Sequence, residues 1–130
     1  SDVYKRQPLP FAEEQFDFIY GISILTHLSA ARHPKWIAEL RRVLSKGGIL
    51  LLTSQGEVFQ EKLLAHERLS YRKGNLVVRD RASEGRRTFS AFHPPRKMRT
   101  LFSEFKILRH LPGSKRTNYL EQDIWILEKV

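Results

Sequence analysis

Residues 9–54 constrain this chain more than any other stretch, because two short apolar runs there flank an amphipathic one: LPFAEEQFDFIYGISILTHLSAARHPKWIAELRRVLSKGGILLLTS. The run 16–24 is nearly continuous in apolar residues, with Gly21 and Ser23 as the small exceptions, and it shows no helical stripe. A run this short suits a strand buried in a parallel sheet. His33-Pro34 opens the next element, where a proline at the first helical position loses nothing by lacking an N–H, and Trp36, Ile37, Leu40, Val43 and Leu44 recur on one face. Lys46-Gly47-Gly48 is the expected stop of that helix, and residues 49–53 read as a second buried strand. Strand, helix and strand in this order make a right-handed crossover, which requires parallel strands in one sheet and places the chain in the α/β class.

Downstream, the pattern predicts a helix over 58–69 with Phe59, Leu63 and Leu64 on its apolar side, although Val58 and His66 interrupt the stripe. Two β-prone runs, 75–80 and 86–92, flank the polar loop Arg81-Ala82-Ser83-Glu84-Gly85 and read as a hairpin inserted beside the main sheet. Pro94-Pro95 precedes a helix with Met98, Leu101, Phe102 and Phe105 at helical spacing. Residues 106–111 and 123–130 then read as strands, separated by a loop that begins at Pro112-Gly113.

Composition narrows the function classes. With 130 residues, 41% of them hydrophobic, the chain suits one domain with a real core. The absence of cysteine removes disulfides, thiolate zinc sites and cysteine nucleophiles, and a cytoplasmic location is the simplest expectation. His27, His33, His66, His93 and His110 lack the spacing that puts two ligands on one helical face, so no metal is expected. No apolar run reaches the ~20 residues that span a bilayer, so no membrane partner is expected. The net charge of +9 points toward nucleic acid, and the arginine-rich 79–99 region, with Phe89 and Phe92 for base stacking, offers a non-enzymatic alternative. The same charges, scattered among acidic residues, also read as solvated faces.

The stretch 9–54 resembles the segment from the fourth to the fifth strand of the class I S-adenosylmethionine-dependent methyltransferases. That resemblance implies a partial Rossmann-like doubly wound sheet, mostly parallel, ending in an antiparallel strand pair. It also implies the spatial order 16–24, 49–53, 123–129, 106–111. The glycine-rich loop after the family's first strand and the acidic residue after its second have no counterpart in this sequence. Residues 1–7 look like translated adaptor sequence and are set apart, so that 8–130 reads as the C-terminal part of a single methyltransferase domain.

In open α/β sheets, ligands bind beyond the carboxyl ends of the strands. The resemblance therefore implies S-adenosylmethionine over Tyr20, Gly21, Ile22 and Ser23, with Leu9 of the Leu9-Pro10-Phe11 turn against the adenine. Gly21 and Ser23 either admit the ligand or simply fit a tight sheet. His27, in the Thr26-His27-Leu28 shoulder, and His93, before the last helix, are the candidate catalytic residues. Each has a structural alternative: His27 as a cap on the helix shoulder, and, in the segment that holds His93, Phe89 and Phe92 as hairpin core rather than the lining of an acceptor pocket. Tyr119 and Gln122-Asp123 lie just before the last strand, in a loop that the resemblance implies overhangs the cofactor face, with Asp123 either an acid–base residue or a solvated strand start. The implied activity is methyl transfer to a small-molecule acceptor by the parent enzyme, with this piece inactive alone. A nicotinamide-dependent dehydrogenase on a similar sheet is a further reading. The 16–24 strand, central in a whole enzyme, is expected to be an exposed apolar edge through which the chain self-associates.

Overall fold

The structure, a computed structural model, describes the backbone of residues 9–83 and 86–130 and the side chains of residues 9–80 and 89–130. The stretch 1–7, set apart above as adaptor-like, lies outside the described residues, as does the tip of the hairpin. Among the described residues, six strands and three α-helices follow in the order β1 (Phe16–Gly21), α1 (Arg32–Val43), β2 (Leu44–Ser54), α2 (Ala65–Arg72), β3 (Val77–Ser83), β4 (Arg86–Phe92), α3 (Pro95–Leu101), β5 (Phe105–Leu111) and β6 (Asp123–Lys129). Two 3-10 segments, Leu25–His27 and Glu57–Lys62, sit after β1 and β2.

The main sheet has the order β1-β2-β6-β5, the order the resemblance implies. β1 and β2 are parallel, while β6 runs antiparallel to both β2 and β5. The residue pattern of β6 shows which of its faces meets the core. Its side chains alternate strictly, with Asp123, Trp125, Leu127 and Lys129 buried on one face and Ile124, Ile126 and Glu128 half-buried on the other. That alternation belongs to a strand with one face packed on the core and the other partly covered, and pairing with β2 and β5 satisfies both of its edges. Lys129 tolerates burial because its ammonium donates to the Leu44 carbonyl at 2.8 Å and lies 3.6 Å from Glu14.

One face of this sheet carries α1 and α3. Trp36, Ile37 and Leu40 of α1, Met98 of α3, and Phe102 just beyond it, close over Leu50, Leu52, Trp125 and Leu127. Each such aliphatic side chain contributes about 1.5–3 kcal/mol by leaving water. Alternation along β1 sends Ile19 into this core and leaves Phe18 and Tyr20 exposed on the opposite face, their rings 6.1 Å apart. Among the described residues β1 pairs only with β2.

Several boundaries differ from those the sequence pattern suggests. β1 stops at Gly21 rather than at 24, because Ser23 takes a positive φ of 61° and Ile24 turns into the 3-10 segment. α1 ends at Val43, and Lys46-Gly47-Gly48 lies inside β2, where the register slips between the Phe16↔Leu44 and Phe18↔Ile49 pairs. Gly47, with φ of 81°, makes that irregularity and does not cap the helix. The helix expected over 58–69 is two pieces broken at Leu63 and Leu64. Leu63 is buried in a second core, while Leu64 is extended and exposed, and its N–H donates to the Glu67 carboxylate at 2.8 Å. That bond starts α2 afresh, as an acidic residue at the third helical position does.

The expected hairpin is present as β3 and β4, paired antiparallel from Val77↔Phe92 to Ser83↔Arg86 and separate from the main sheet. Phe92 and Val77 join Phe59, Leu63 and Tyr71 in the second core. Arg79 lies across it, with its guanidinium 5.5 Å from the Phe92 ring centroid and held by Glu67 at 2.7 and 3.1 Å. Phe105, expected in the last helix, begins β5 instead.

Candidate functional site

At the carboxyl end of β1 the chain makes a sharp turn whose geometry rests on Ser23. Its N–H donates to Thr53 Oγ1 of β2 at 2.8 Å, its carbonyl accepts the Thr26 hydroxyl at 2.8 Å, and its own hydroxyl accepts Gln122 Nε2 at 2.8 Å. Three neighbours thus hold a non-glycine residue in the left-handed region, a conformation that persists only where its surroundings over-determine it. Gln122 Oε1 is buried with no hydrogen-bond partner, so the same turn presents an acceptor that lacks a donor. Tyr20 and Ile22 flank it and are exposed.

Gly21 has a different role from the one that its small size suggests. A β-carbon there would come within 2.4 Å of Ile24 Cδ1 and 3.1 Å of Leu52 Cδ2, so the space is filled by core side chains and is not open to a ligand. Leu9 is also displaced from its expected place. Its N–H donates to Glu39 at 2.6 Å and its carbonyl accepts from Arg42 at 3.2 Å, both in the last turns of α1. Those turns lie beside Leu44, the partner of Phe16 at the amino end of β1. Leu9 is therefore tied to the last turns of α1, and its side chain packs against the main core. Helix α1 captures it through a carboxylate and a guanidinium that sequence spacing does not single out.

The two candidate histidines are not brought together. His27 is exposed at the end of the 3-10 turn, while its neighbours Leu25 and Thr26 are buried. His93 is completely buried. Its Nδ1 accepts the Gln55 N–H at 3.0 Å, so its proton resides on Nε2, 3.1 Å from Nε2 of His33. His33 accepts there and donates from Nδ1 to the Ser29 carbonyl at 2.8 Å. Both rings are consequently neutral. Burial pushes the His93 imidazole down to about 3, with the neighbouring His33 acting in the same direction, and burial lowers His33 as well. The His93 N–H also donates to the Gln55 carbonyl at 2.7 Å, and the Tyr71 hydroxyl donates to the His93 carbonyl at 3.2 Å. Burial pushes the Tyr71 phenol up, which keeps it a donor.

Asp123 is likewise a buried structural carboxylate. It accepts from His110 Nε2 at 2.7 Å and from the Gly113 N–H at 2.9 Å, with His110 stacked on Trp125 at 3.8 Å. These bonds pin the 112–122 loop to the start of β6, leaving Asp123 neither solvated nor free for proton transfer.

Beyond this edge lies a cavity of about 430 Å³ lined by Phe59, Glu61 and Lys62 of the second 3-10 segment and by residues 115–120. Sequence reading singled out Tyr119 from its walls but missed the cavity. No local pattern joins 59–62 to 115–120, and the meeting depends on how the two loops close. Among the described residues no group of three His, Asp or Glu side chains is placed to hold a metal, and no helix is long and apolar enough to cross a membrane.

Residues 2–52 match the sequence profile of the methyltransferase domain family. A SAM-dependent methyltransferase of Methanosarcina mazei superposes with a TM-score of 0.68 at 19% identity, over 94% of this chain and 63% of its own. This is the class I methyltransferase fold. The same fold appears in Burkholderia thailandensis 1,6-didemethyltoxoflavin-N1-methyltransferase, solved with its substrate and S-adenosylhomocysteine. That enzyme has a TM-score of 0.64 at 13% identity, over 92% of this chain and 46% of its own. Geranyl diphosphate C-methyltransferase of Streptomyces coelicolor, solved with Mg2+, geranyl diphosphate and S-adenosyl-L-homocysteine, matches with a TM-score of 0.53 at 8% identity, over 94% and 49%. This chain spans less than two thirds of the length of each of these methyltransferases. No curated protein matches it in sequence.

Proposed function

We propose that this chain is the acceptor-side part of an S-adenosylmethionine-dependent methyltransferase that acts on a small molecule, with the cofactor over the turn from Tyr20 to Ser23. The observation that carries the proposal is the braced Ser23 turn at the carboxyl end of a strand in the β1-β2-β6-β5 sheet. There, Tyr20 and Ile22 are exposed at the end of the strand. Main-chain carbonyls at this strand end suit the ammonium of the cofactor's methionine portion, and the exposed Tyr20 and Ile22 side chains offer apolar contact. Gly21 contributes by shape alone.

The bound cofactor supplies an electrophilic methyl group on sulfur, and its transfer is an in-line displacement that needs no proton on the leaving thioether. The protein's task is then to position the acceptor, and to remove a proton where the acceptor carries one. His27, exposed on the shoulder after Ser23, is the residue of this edge suited to that proton. His93 serves by joining the hairpin to the end of β2 through Gln55, a positioning role.

The chain by itself has no glycine-rich loop of the family's kind, and we extend the proposal to weak cofactor binding and no turnover when it is alone. Amide spectra of the 15N-labelled chain titrated with S-adenosylhomocysteine test this. Shifts confined to Tyr20 to Ser23 and Gln122, saturating only at millimolar ligand, are expected. Low-micromolar binding by calorimetry would overturn the weakness, and shifts elsewhere would overturn the site. Exposed Phe18, Tyr20 and Ile22 also support self-association along β1, for which light scattering after size-exclusion chromatography should give more than the monomer mass.

A further inference from the structure

The cavity beyond the second 3-10 segment has a chemical character of its own. Among its lining residues are three cations, Lys62, Lys115 and Arg116, against one carboxylate, Glu61. Its aromatic members are Phe59, buried in the second core, and Tyr119, which is 62% exposed. At about 430 Å³ it falls in the size range of small-molecule sites.

Two of the cations already have partners, Lys115 with Glu61 at 3.1 Å and Arg116 with Glu121 at 3.2 Å. All four side chains are a third or more exposed, and ion pairs of that kind contribute at most about 1 kcal/mol, so a ligand anion can replace either carboxylate at small cost. Lys62 has no carboxylate partner among the described residues, and its ammonium lies 5.7 Å from the Phe59 ring centroid. The wall that carries Arg116 and Tyr119 is a closed turn. Lys115 and Leu120 form an antiparallel bridge, the Arg116 N–H donates to the Tyr119 carbonyl at 2.9 Å, and the Glu121 N–H donates to the Ser114 carbonyl at 3.0 Å. The cations are therefore presented on ordered backbone. The cavity also adjoins the cofactor edge. Leu120 lies two residues, at most about 7 Å, from Gln122, whose side chain holds Ser23.

From these features we infer that the cavity binds the methyl acceptor and that the acceptor is a planar aromatic anion of the aryl carboxylate class. Its carboxylate pairs with Lys62 and Arg116, whose flat guanidinium fork matches two carboxylate oxygens. Its ring lies against Tyr119 and Phe59. This assignment rests on the methyl-transfer proposal for calling the ligand an acceptor, while the anion site stands on the cavity alone.

The test is an amide-shift titration of the 15N-labelled full chain with 4-hydroxybenzoate and, in parallel, with its neutral methyl ester, followed by S-adenosylhomocysteine. The acid should shift Lys62, Arg116, Tyr119 and Leu120, and the ester should bind about tenfold more weakly. Binding of the acid should weaken in about 0.5 M salt. Lys62→Gln and Arg116→Gln, each checked for an unchanged dispersed spectrum, should each weaken the acid by about three- to tenfold and leave the S-adenosylhomocysteine response of Tyr20 to Ser23 untouched. Equal binding of acid and ester, shifts mapping elsewhere, or no response to the acid would overturn the anion site. A response to the acid without any to S-adenosylhomocysteine would keep the anion site and overturn its reading as an acceptor pocket. The reverse pattern would sink the cavity and leave the cofactor edge standing.

Discussion

Trp125 at the centre of the sheet and His93 beneath the hairpin are both fully buried, yet different interactions hold them. Trp125 packs edge-on to Phe102 at 5.3 Å, stacks on His110, lies under the Arg99 guanidinium at 5.4 Å, and uses one hydrogen bond, to Ser54. Its environment is apolar and continuous with α1 and α3. His93 is held by directional bonds to Gln55 and His33, and it joins the second core to the first. The sheet thus rests on area removed from water, which scales with packing, whereas the hairpin docks through polar groups that are worth little when paired and cost much when one partner is lost.

That difference can be broken at either end. Trp125→Ala should lose about 3–5 kcal/mol of unfolding free energy in a urea titration, the largest effect of any expected here, because a cavity opens where several rings meet. His93→Ala should lose about 2–3 kcal/mol by stranding the part-buried Gln55 N–H and the buried His33 Nε2, and hydrogen exchange should quicken in β3 and β4 before it does in β6. A Trp125 effect below that of His93 would show that the polar joint, and not the apolar core, dominates.

Acidification separates the two regions without mutation. His93 lies at about 3 in the folded state against 6.5 when free, and His33 is lowered in the same direction, so the unfolded chain binds more protons in that interval. Stability is therefore complete above about pH 6.5 and falls as pH drops toward 3, by up to about 1.4 kcal/mol per pH unit for each histidine kept neutral. Glu67, held down to about 2 by Arg79, adds a loss that begins only below its ordinary 4.5. Melting temperature against pH should therefore decline already between pH 6.5 and 5, and this early decline should be smaller in His93→Ala.

Two smaller changes sharpen the contrast. Arg79→Ala removes a two-pronged contact to Glu67, a 2.6 Å bond to the Lys62 carbonyl and the cover over Phe92, and should cost about 1–2 kcal/mol in the same titration. Gly47→Ala should cost about 1 kcal/mol, since a β-carbon there meets nothing within 4 Å and only the positive φ opposes it. A loss several times larger would mean that the irregularity in β2 governs the parallel pairing with β1.

Arg79 and Phe92 also bear on the nucleic-acid alternative. Phe92 is buried and Arg79 lies across it, paired with Glu67, so neither is presented for base stacking or phosphate contact. Sequence reading found the arginines and aromatics of the 79–99 region but not their direction. Strand alternation and the docking face of a hairpin determine that, and neither is visible until the hairpin has a surface to dock on. His93 was missed as a core residue for the same reason, because its partners His33 and Gln55 are 60 and 38 positions away. The sequence placed the carboxyl end of β1 near Ser23 but not the turn there, whose partners Thr53 and Gln122 lie 30 and 99 positions away.

The sequence alone determined the class of most segments, while the order of the main sheet came from the resemblance to the methyltransferase family. The apolar runs of β1 and β2, the stripe of α1 and the two-residue alternation of β6 are short-range patterns, set by backbone geometry that repeats every two or 3.6 residues. Tertiary structure alone decided where α1 yields to β2, why the helix expected over 58–69 breaks at Leu63 and Leu64, how His33 meets His93, and which loops enclose the cavity. Those outcomes depend on hydrogen-bond and packing partners that lie tens of residues apart and become neighbours only when the chain closes, as Gln122 and Ser23 do across 99 positions.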